Sequence, residues 1–331
     1  MEELTLEKFE EASEIVKEVT LETKLIYSEY FSAQTGNKVY FKPENMQYTG
    51  AYKVRGAYYK ISTLTEEEKA KGLITASAGN HAQGVAYAAK LSGVKATVVM
   101  PTTTPLIKVN RTKGYGAEVV LAGDVFDEAC AYAYKLADEH GYTFVHPFDD
   151  LAVATGQGSI AMEIIKELPT VDYILVPIGG GGLCTGVSTL AKLLNPKIKV
   201  IGVEPAGANC MQESLKEGHV LTLPQVNTIA DGTAVKRPGE KLFPYIQQNV
   251  DDIVPSECRV VPCWAKARYL PRQAGRTPLA GSWEKSRTLT SHTERWETGI
   301  FGRWSCSQPG GSIRAKSAIM LRLPFTPAAL A

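Results

Sequence analysis

The chain has 331 residues, and its content of 44% apolar and 21% charged residues is typical of a globular protein and excludes wholesale disorder. No run of eighteen apolar residues occurs, so neither a membrane span nor a membrane partner is expected. Six cysteines without paired metal-type spacing, and an acidic start without a secretory pattern, favour the cytoplasm as the compartment.

The net charge of +1 conceals a step in composition near residue 254. Residues 1–254 hold 24 basic and 31 acidic side chains, whereas residues 255–331, here named the tail, hold 12 and 4. The tail also contains all four tryptophans and nine of the twelve arginines, and it lacks hydrophobic periodicity. Mixed tryptophan and arginine can bind nucleic acid, but no nucleic-acid partner is expected for this chain.

Short apolar runs alternate with amphipathic or alanine-rich segments as far as residue 203. The runs predict strands at 39–42, 73–76, 96–100, 117–121, 143–145, 173–177 and 199–203. The segments predict helices at 4–19, 53–64, 81–92, 108–115, 125–140, 157–168 and 185–194. This alternation predicts an α/β fold with parallel sheets between helices, in which ligands bind at the carboxyl ends of the strands.

A run of four glycines separates the predicted strand at 173–177 from the next helix: Gly179, Gly180, Gly181 and Gly182. Glycine lets the backbone approach a ligand closely, and consecutive N–H groups at a helix start bind anions. A plain turn would not need four glycines, because their flexibility costs entropy on folding. The run therefore favours phosphate binding, although it matches neither the spaced dinucleotide motif nor a P-loop.

A second polar loop, Ala76–Gln83, also lies between a predicted strand and a predicted helix. Its serine, its asparagine and its free backbone N–H groups suit a carboxylate ligand. The same residue types are common as ordinary helix caps, so the loop by itself leaves both interpretations open.

One lysine, Lys53, follows a tight turn and lies between Gly50 and Gly56, beside Tyr52. Most lysines are on the surface, but this position favours a side chain that points into the fold. A buried lysine has a lowered pKa and becomes a nucleophile suited to Schiff-base formation. Lys53 is therefore a candidate catalytic residue.

In this order, the three loops resemble those of the pyridoxal-phosphate-dependent threonine and serine dehydratases of the fold-type-II group. The resemblance includes the segments 44–47, 202–205 and 230–232, and it covers about residues 4–254. It implies an α/β fold of two open, mostly parallel twisted sheets flanked by helices, as in the tryptophan synthase β-subunit.

The resemblance also implies a division into two domains. The large, cofactor-binding domain would comprise residues 1–52 and 148–254, and the small domain would comprise residues 53–147. A homo-oligomer is expected.

Each matching residue takes an implied role, with pyridoxal 5′-phosphate as the cofactor. The catalytic residue would be Lys53, which would hold the cofactor as a Schiff base. The cofactor-binding set would be Tyr52, Lys53, Asn80, Gly179, Gly180, Gly181, Gly182, Leu183 and Gly232. The substrate-binding set would be Ser77, Ala78, Gly79 and His81.

The implied reaction is the deamination of L-threonine to 2-oxobutanoate and ammonia, and of L-serine to pyruvate, by β-elimination of water. A serine racemase is the nearest alternative, but racemases of this group have serine where this chain has Ala78. Their metal site would need an acidic residue at Cys210, so no metal is expected.

The tail departs from the family pattern, which continues with strands and a Ser-Gly-Gly loop at the ring nitrogen of the cofactor. We interpret this departure as a reading-frame shift near residues 254–256. Synonymous codons for Glu294–Thr298, read one nucleotide later, can encode Ser-Gly-Gly-Lys. We expect an aberrant tail that does not pack as a domain and supplies no strand to the large domain. A genuine divergent extension is the alternative to the frame shift. Because the tail is altered, a catalytically impaired cofactor-binding protein is a further alternative to an active lyase.

Overall fold

The computed structural model describes residues 3–256 and 317–321 as two sheets with helices packed around them. The helices are α1 Leu6–Ile15, α2 Glu29–Thr35, α3 Lys53–Ser62, α4 Glu66–Lys71, α5 Asn80–Leu91, α6 Leu106–Gly114, α7 Phe126–His140, α8 Leu151–Glu167, α9 Gly182–Leu194, α10 Cys210–Glu217 and α11 Phe243–Asn249. The strands are β1 Ile26–Tyr27, β2 Lys38–Lys42, β3 Leu73–Ala76, β4 Ala96–Met100, β5 Glu118–Leu121, β6 Thr143–Phe144, β7 Tyr173–Pro177, β8 Lys199–Pro205, β9 Asp252–Ser256 and β10 Ser317–Leu321.

The larger sheet has the strand order β1-β2-β10-β7-β8-β9. Neighbouring strands pair in parallel, except that β1 and β2 are antiparallel. Apolar side chains of β7 and β8 pack with those of α8 and α9 in the larger core, which includes Ile174, Val200 and Leu190. Burial on both faces explains why these strands are continuous apolar runs in the sequence.

The smaller sheet has the order β5-β4-β3-β6 and is parallel throughout. Successive side chains of a strand point to opposite faces. Leu73 accordingly packs with residues of α3 and α5, whereas Ile74 packs with residues of α7. The two sheets confirm the predicted fold class, and β3, β4 and β7 have the predicted bounds.

The predicted start of the helix at 157 is wrong, because α8 begins at Leu151. The Asp150 carboxylate caps this helix by accepting from the Val153 N–H at 3.0 Å. Gly156 and Gly158 lie inside the helix, although glycine is a poor helix former. Atoms of neighbouring helices would overlap a Cβ at either position, so packing explains these glycines better than a loop does.

Most of the tail lies outside the described residues, and so does the expectation that it does not pack as a domain. The expectation that the tail supplies no strand is wrong, because Ser317–Leu321 form β10 between β2 and β7. Ile319 pairs with Tyr40 on one side and with Ile174 on the other, and its side chain is fully buried. Strand β10 therefore completes the middle of the larger sheet.

Candidate active site

The glycine run Gly179–Gly182, here named the glycine cradle, follows β7 at the carboxyl edge of the larger sheet. Gly181 has φ +108°, in the backbone region that favours glycine, and it precedes the first residue of α9. A Cβ at Gly181 would lie 3.0 Å from Met211 Cε and from Ile246 Cδ1. The backbone conformation therefore favours glycine at this position, and a Cβ would also require the ends of these two side chains to shift.

The N-terminus of α9 leaves backbone donors beside the cradle. Thr185 N–H donates to Gly181 O at 2.8 Å, so the N–H groups that precede it have no partner within the helix. Such groups, together with the helix dipole, bind anions. The predicted phosphate-binding chemistry is therefore compatible with the geometry of this turn.

Lys53 is the first residue of α3, and its Nζ donates to Pro147 O at 2.6 Å. The same nitrogen lies 5.6 Å from the centroid of the Tyr52 ring. Burial lowers the pKa of Lys53 from 10.5 to about 8. Roughly a tenth of this amine is therefore neutral, and nucleophilic, at pH 7.

The glycine cradle and Lys53 line the same cleft. The residues that line it are Tyr52, Lys53, Phe148, Pro177, Gly179, Gly180, Gly181, Gly182, Leu183, Gly232, Thr233 and Val235. The cleft thus brings together the predicted cofactor-binding residues except Asn80, from segments as far apart in sequence as Tyr52 and Gly232. Gly232 lies beside the cradle, because a Cβ at Gly179 would be 3.6 Å from Gly232 O.

The predicted substrate-binding loop connects β3 to α5, and the charge of Lys53 acts on His81 in the first turn of that helix. A Cβ at Gly84, in the second turn of α5, would lie 3.0 Å from the Lys53 carbonyl carbon. Ser77, Ala78, Gly79 and Asn80 are partly buried, and Asn80 is the first residue of α5. The N-terminus of α5 therefore presents backbone donors to an anion next to Lys53.

His81 does not supply a positive charge to this loop. Its buried ring has Nε2 3.0 Å from Val145 O. Burial, together with the nearby charge of Lys53, lowers its pKa to about 3. The imidazole is therefore neutral, with Nε2 protonated so that it donates to the carbonyl. His81, which the sequence places in the substrate-binding set, therefore has no positive charge with which to attract a substrate carboxylate.

The sequence predictions did not include Pro177, Thr233 and Val235 of the cleft lining, nor Pro147 and Phe148. Pro147 supplies the carbonyl that accepts from Lys53, and Phe148 packs on the cradle, where its ring would overlap a Cβ at Gly180. Both follow the predicted strand at 143–145. Ligand sites lie at the carboxyl ends of parallel strands, so the position of these two residues directly after a predicted strand was the signal that could have identified them.

Comparison with known proteins assigns the chain to a family. The family model described as pyridoxal-phosphate dependent enzyme matches residues 16–258. The chain is 44% identical over 313 residues to the L-threonine ammonia-lyase of Geobacter sulfurreducens, covering 93% of this chain and 75% of that protein. The chain belongs to the pyridoxal-phosphate-dependent threonine ammonia-lyase family.

A second member of the family, the L-threonine ammonia-lyase of Thermotoga maritima, is 47% identical over 251 residues. These residues are 76% of this chain and 63% of that protein, so the chain spans less than two thirds of this relative. The family model ends at residue 258, close to the step in composition.

Two solved structures have the same fold as this chain. The processed form of threonine deaminase isoform 2 from Solanum lycopersicum superposes with a TM-score of 0.81 and 34% identity, over 98% of this chain and 91% of that one. The serine racemase of Dictyostelium discoideum superposes with a TM-score of 0.71 and 38% identity, over 77% and 81% of the two chains.

The cleft fits pyridoxal 5′-phosphate, the cofactor of this family. The donors at the start of α9 suit its phosphate, and the hydroxyl of Thr185, in the first turn of that helix, is buried with no partner among the described residues. The partly neutral Lys53 amine, in the same cleft, suits its carbonyl carbon. The residues that would hold this cofactor are therefore Lys53, the glycine cradle and Leu183.

The racemase-type metal position contains the start of α10. Glu204 accepts from the N–H groups of Met211 and Gln212 at 3.0 and 2.8 Å, and Cys210 is the first residue of the helix. Within residues 3–256 and 317–321, no group of three His, Cys, Asp or Glu side chains is arranged to hold a metal ion. Over the same ranges, no helix combines the length and the apolar character needed to cross a bilayer.

Proposed function

We propose that this chain deaminates L-threonine to 2-oxobutanoate and ammonia, and L-serine to pyruvate and ammonia. The observation that carries this proposal is the meeting of Lys53 and the glycine cradle in one cleft, next to the N-terminus of α5. When bound, pyridoxal 5′-phosphate supplies a carbonyl that bonds to amines and a conjugated ring that spreads negative charge. The names of the Geobacter and Thermotoga relatives support the substrate.

Lys53 acts as the base in this proposal. Its amine, with the pKa lowered to about 8, takes the proton from the α-carbon of the amino acid. Loss of that proton lets the bond between the β-carbon and the hydroxyl oxygen break, and the hydroxyl leaves as water by taking up a proton from the Lys53 ammonium, which returns the amine to its neutral form. The released enamine then reacts with water to give the 2-oxo acid and ammonia. The carbonyl of Pro147, which accepts from Nζ at 2.6 Å, keeps the protonated amine in place between steps.

The N-terminus of α5 orients the substrate in this proposal. The carboxylate of the amino acid binds the backbone donors at the start of α5 and the hydroxyl of Ser77, whereas Asn80 keeps its predicted role in cofactor binding. Ala78 has a methyl group where a racemase needs a hydroxyl to move a proton on the opposite face of the substrate. Elimination is therefore favoured over racemisation.

The two-domain division, the homo-oligomer and the cytoplasmic location stay part of this proposal. The two sheets are built from separate stretches of chain, residues 73–144 for the smaller and residues 26–42, 173–256 and 317–321 for the larger. Sedimentation of the full chain at several concentrations measures its oligomeric state.

Turnover assays test the proposed activity. The full chain with added pyridoxal 5′-phosphate should convert L-threonine to 2-oxobutanoate and L-serine to pyruvate, and Lys53→Ala should abolish both reactions. D-serine formed in excess over pyruvate would instead identify a racemase. Cofactor binding without turnover of either amino acid would support the impaired cofactor-binding alternative.

A further inference from the structure

Helix α8 packs against α3 with their backbones in contact, one turn from Lys53. A Cβ at Gly156 would lie 2.8 Å from Gly56 Cα and 2.7 Å from Arg55 O. A Cβ at Gly56 would in turn lie 2.6 Å from Val153 O. Because real Cβ atoms do not approach backbone atoms this closely, neither glycine can be replaced unless the two helices separate.

On another side, α8 packs equally closely against α9, one turn from the glycine cradle. A Cβ at Gly186 would lie 2.7 Å from Gly158 N and would overlap Ala154 O. A Cβ at Gly158 would lie 3.0 Å from Gly186 O. Helix α8 therefore touches the helix that begins with Lys53 and the helix that begins beside the cradle.

Buried ion pairs fix how α3 sits along α8. The Arg55 guanidinium, fully buried two residues after Lys53, donates to Glu163 Oε1 of α8 at 2.6 Å and to Glu44 Oε2 at 2.9 Å. The buried Lys42 ammonium, at the end of β2, binds the other oxygen of Glu163 at 2.5 Å. A planar guanidinium with two carboxylate partners keeps its geometry only if α3 does not slide along α8. The glycines set how closely the two helices approach, and the ion pairs set the position of α3 along the axis of α8.

We propose that α8 is a spacer that fixes the distance between the Lys53 amine and the glycine cradle, with Gly56, Gly156, Gly158 and Gly186 as positioning residues. This inference rests on the proposed cofactor-binding role of the cleft. A ligand that must bond to Lys53 and bind the cradle at the same time needs both groups at one fixed separation. Four glycines in helices weaken those helices, and the spacer role explains why the chain nevertheless has them at these crossings.

Two cofactor analogues separate spacing from mere stability. Pyridoxal 5′-phosphate engages both Lys53 and the cradle, whereas pyridoxine 5′-phosphate lacks the aldehyde and cannot bond to Lys53. We define the preference ratio as the dissociation constant of pyridoxine 5′-phosphate divided by that of pyridoxal 5′-phosphate. In the full chain, this ratio measures how well Lys53 is placed relative to the cradle. Thermal unfolding of the same samples measures stability independently.

Gly156→Ala and Gly186→Ala are the test variants, and Gly114→Ala is the matched control. Gly114 ends α6 with open space around it, so the control adds the same methyl group to a helix without a clash. The spacer predicts that each test variant reduces the preference for pyridoxal 5′-phosphate by about tenfold or more, since small misplacements of reacting groups are costly. Affinity for pyridoxine 5′-phosphate should change much less, and the control should match the parent chain.

Equal losses of affinity for both analogues would overturn the spacer and leave these glycines a purely stabilising role. Unchanged affinities for both analogues would overturn it as well. If the alanine variants do not fold, Glu163→Gln is the deciding variant. It weakens the ion pairs that hold α3 in position along α8, adds no volume, and should lower the same ratio. Failure of the parent chain itself to bind pyridoxal 5′-phosphate would instead contradict the proposed function.

Discussion

Lys53 and Lys60 lie on the same helix but differ in their electrostatic surroundings. Lys60 pairs with the Asp150 carboxylate at 2.9 Å, whereas the Lys53 ammonium has a neutral carbonyl of Pro147 as its partner. Burial without a counter-charge lowers the pKa of Lys53 to about 8. The flanking glycines made Lys53 recognisable in the sequence, but its partner, 94 residues further on, depends on the folded chain.

The first prediction concerns the pH dependence of Lys53 reactivity. Only the neutral amine is nucleophilic, so modification of Lys53 by an amine reagent in the cofactor-free chain should rise with a midpoint near pH 8. Peptide mapping after labelling at a series of pH values measures this midpoint. A midpoint near 10.5, the ordinary value for lysine, would contradict the lowered pKa.

The second prediction concerns Gly181. Gly181→Asp places a side chain on a backbone with φ +108° and a negative charge beside the phosphate site. The affinity for pyridoxal 5′-phosphate, measured by titration, should fall by about two orders of magnitude. Gly218→Asp is the control, because Gly218 also has a positive φ, +76°, but open space around it. Equal affinities of the two variants would mean that the cradle does not bind the phosphate.

Among the secondary-structure elements, the local sequence was enough to predict the bounds of strands whose apolar runs lie between glycines or polar turns. β3, β4 and β7 have the predicted bounds for this reason. The sequence does not predict the start of α8, because Gly156 and Gly158 are typical of a loop. Only the close approach of the neighbouring helices explains why glycines occur inside this helix. Contacts between distant segments decide such positions, and a single sequence does not contain them.

The third prediction concerns the start of α10, where burial raises the pKa of Glu204 to about 7. A carboxyl group with a higher pKa in the folded chain than in the unfolded chain, where it is near 4.5, loses stabilising free energy as pH rises between these values. From pH 5 to pH 8, the parent chain should therefore lose stability relative to Glu204→Gln, on the order of 1–3 kcal/mol. Urea unfolding at each pH measures the difference. A constant difference across this range would show that the pKa of Glu204 is not raised.

For the whole molecule, the larger sheet depends on β10, which comes from the tail. The compositional step at residue 254 predicts a boundary, and the family model also ends nearby, at residue 258. Strand β10 nevertheless pairs with β2 and β7, which are about 280 and 145 residues earlier in the chain. Parallel pairing over such separations has no local sequence signal, so this strand could not be predicted from its own five residues.

The fourth prediction tests whether β10 contributes to stability. Ile319→Ala removes a fully buried side chain from the larger core and should lower the free energy of unfolding by about 2–4 kcal/mol. Ile26→Ala is the control, because Ile26 is half exposed in β1 of the same sheet. Urea denaturation of both variants gives the comparison. Equal stabilities would mean that β10 does not occupy the centre of the sheet.

The proposed activity depends on Lys53 holding pyridoxal 5′-phosphate in the cleft that it forms with the glycine cradle. Borohydride reduction of the full chain with this cofactor, followed by peptide mapping, measures which lysine forms the bond. The label should lie on Lys53 and should be absent when the cofactor is omitted. A label on Lys108, Lys42 or any other lysine would contradict it.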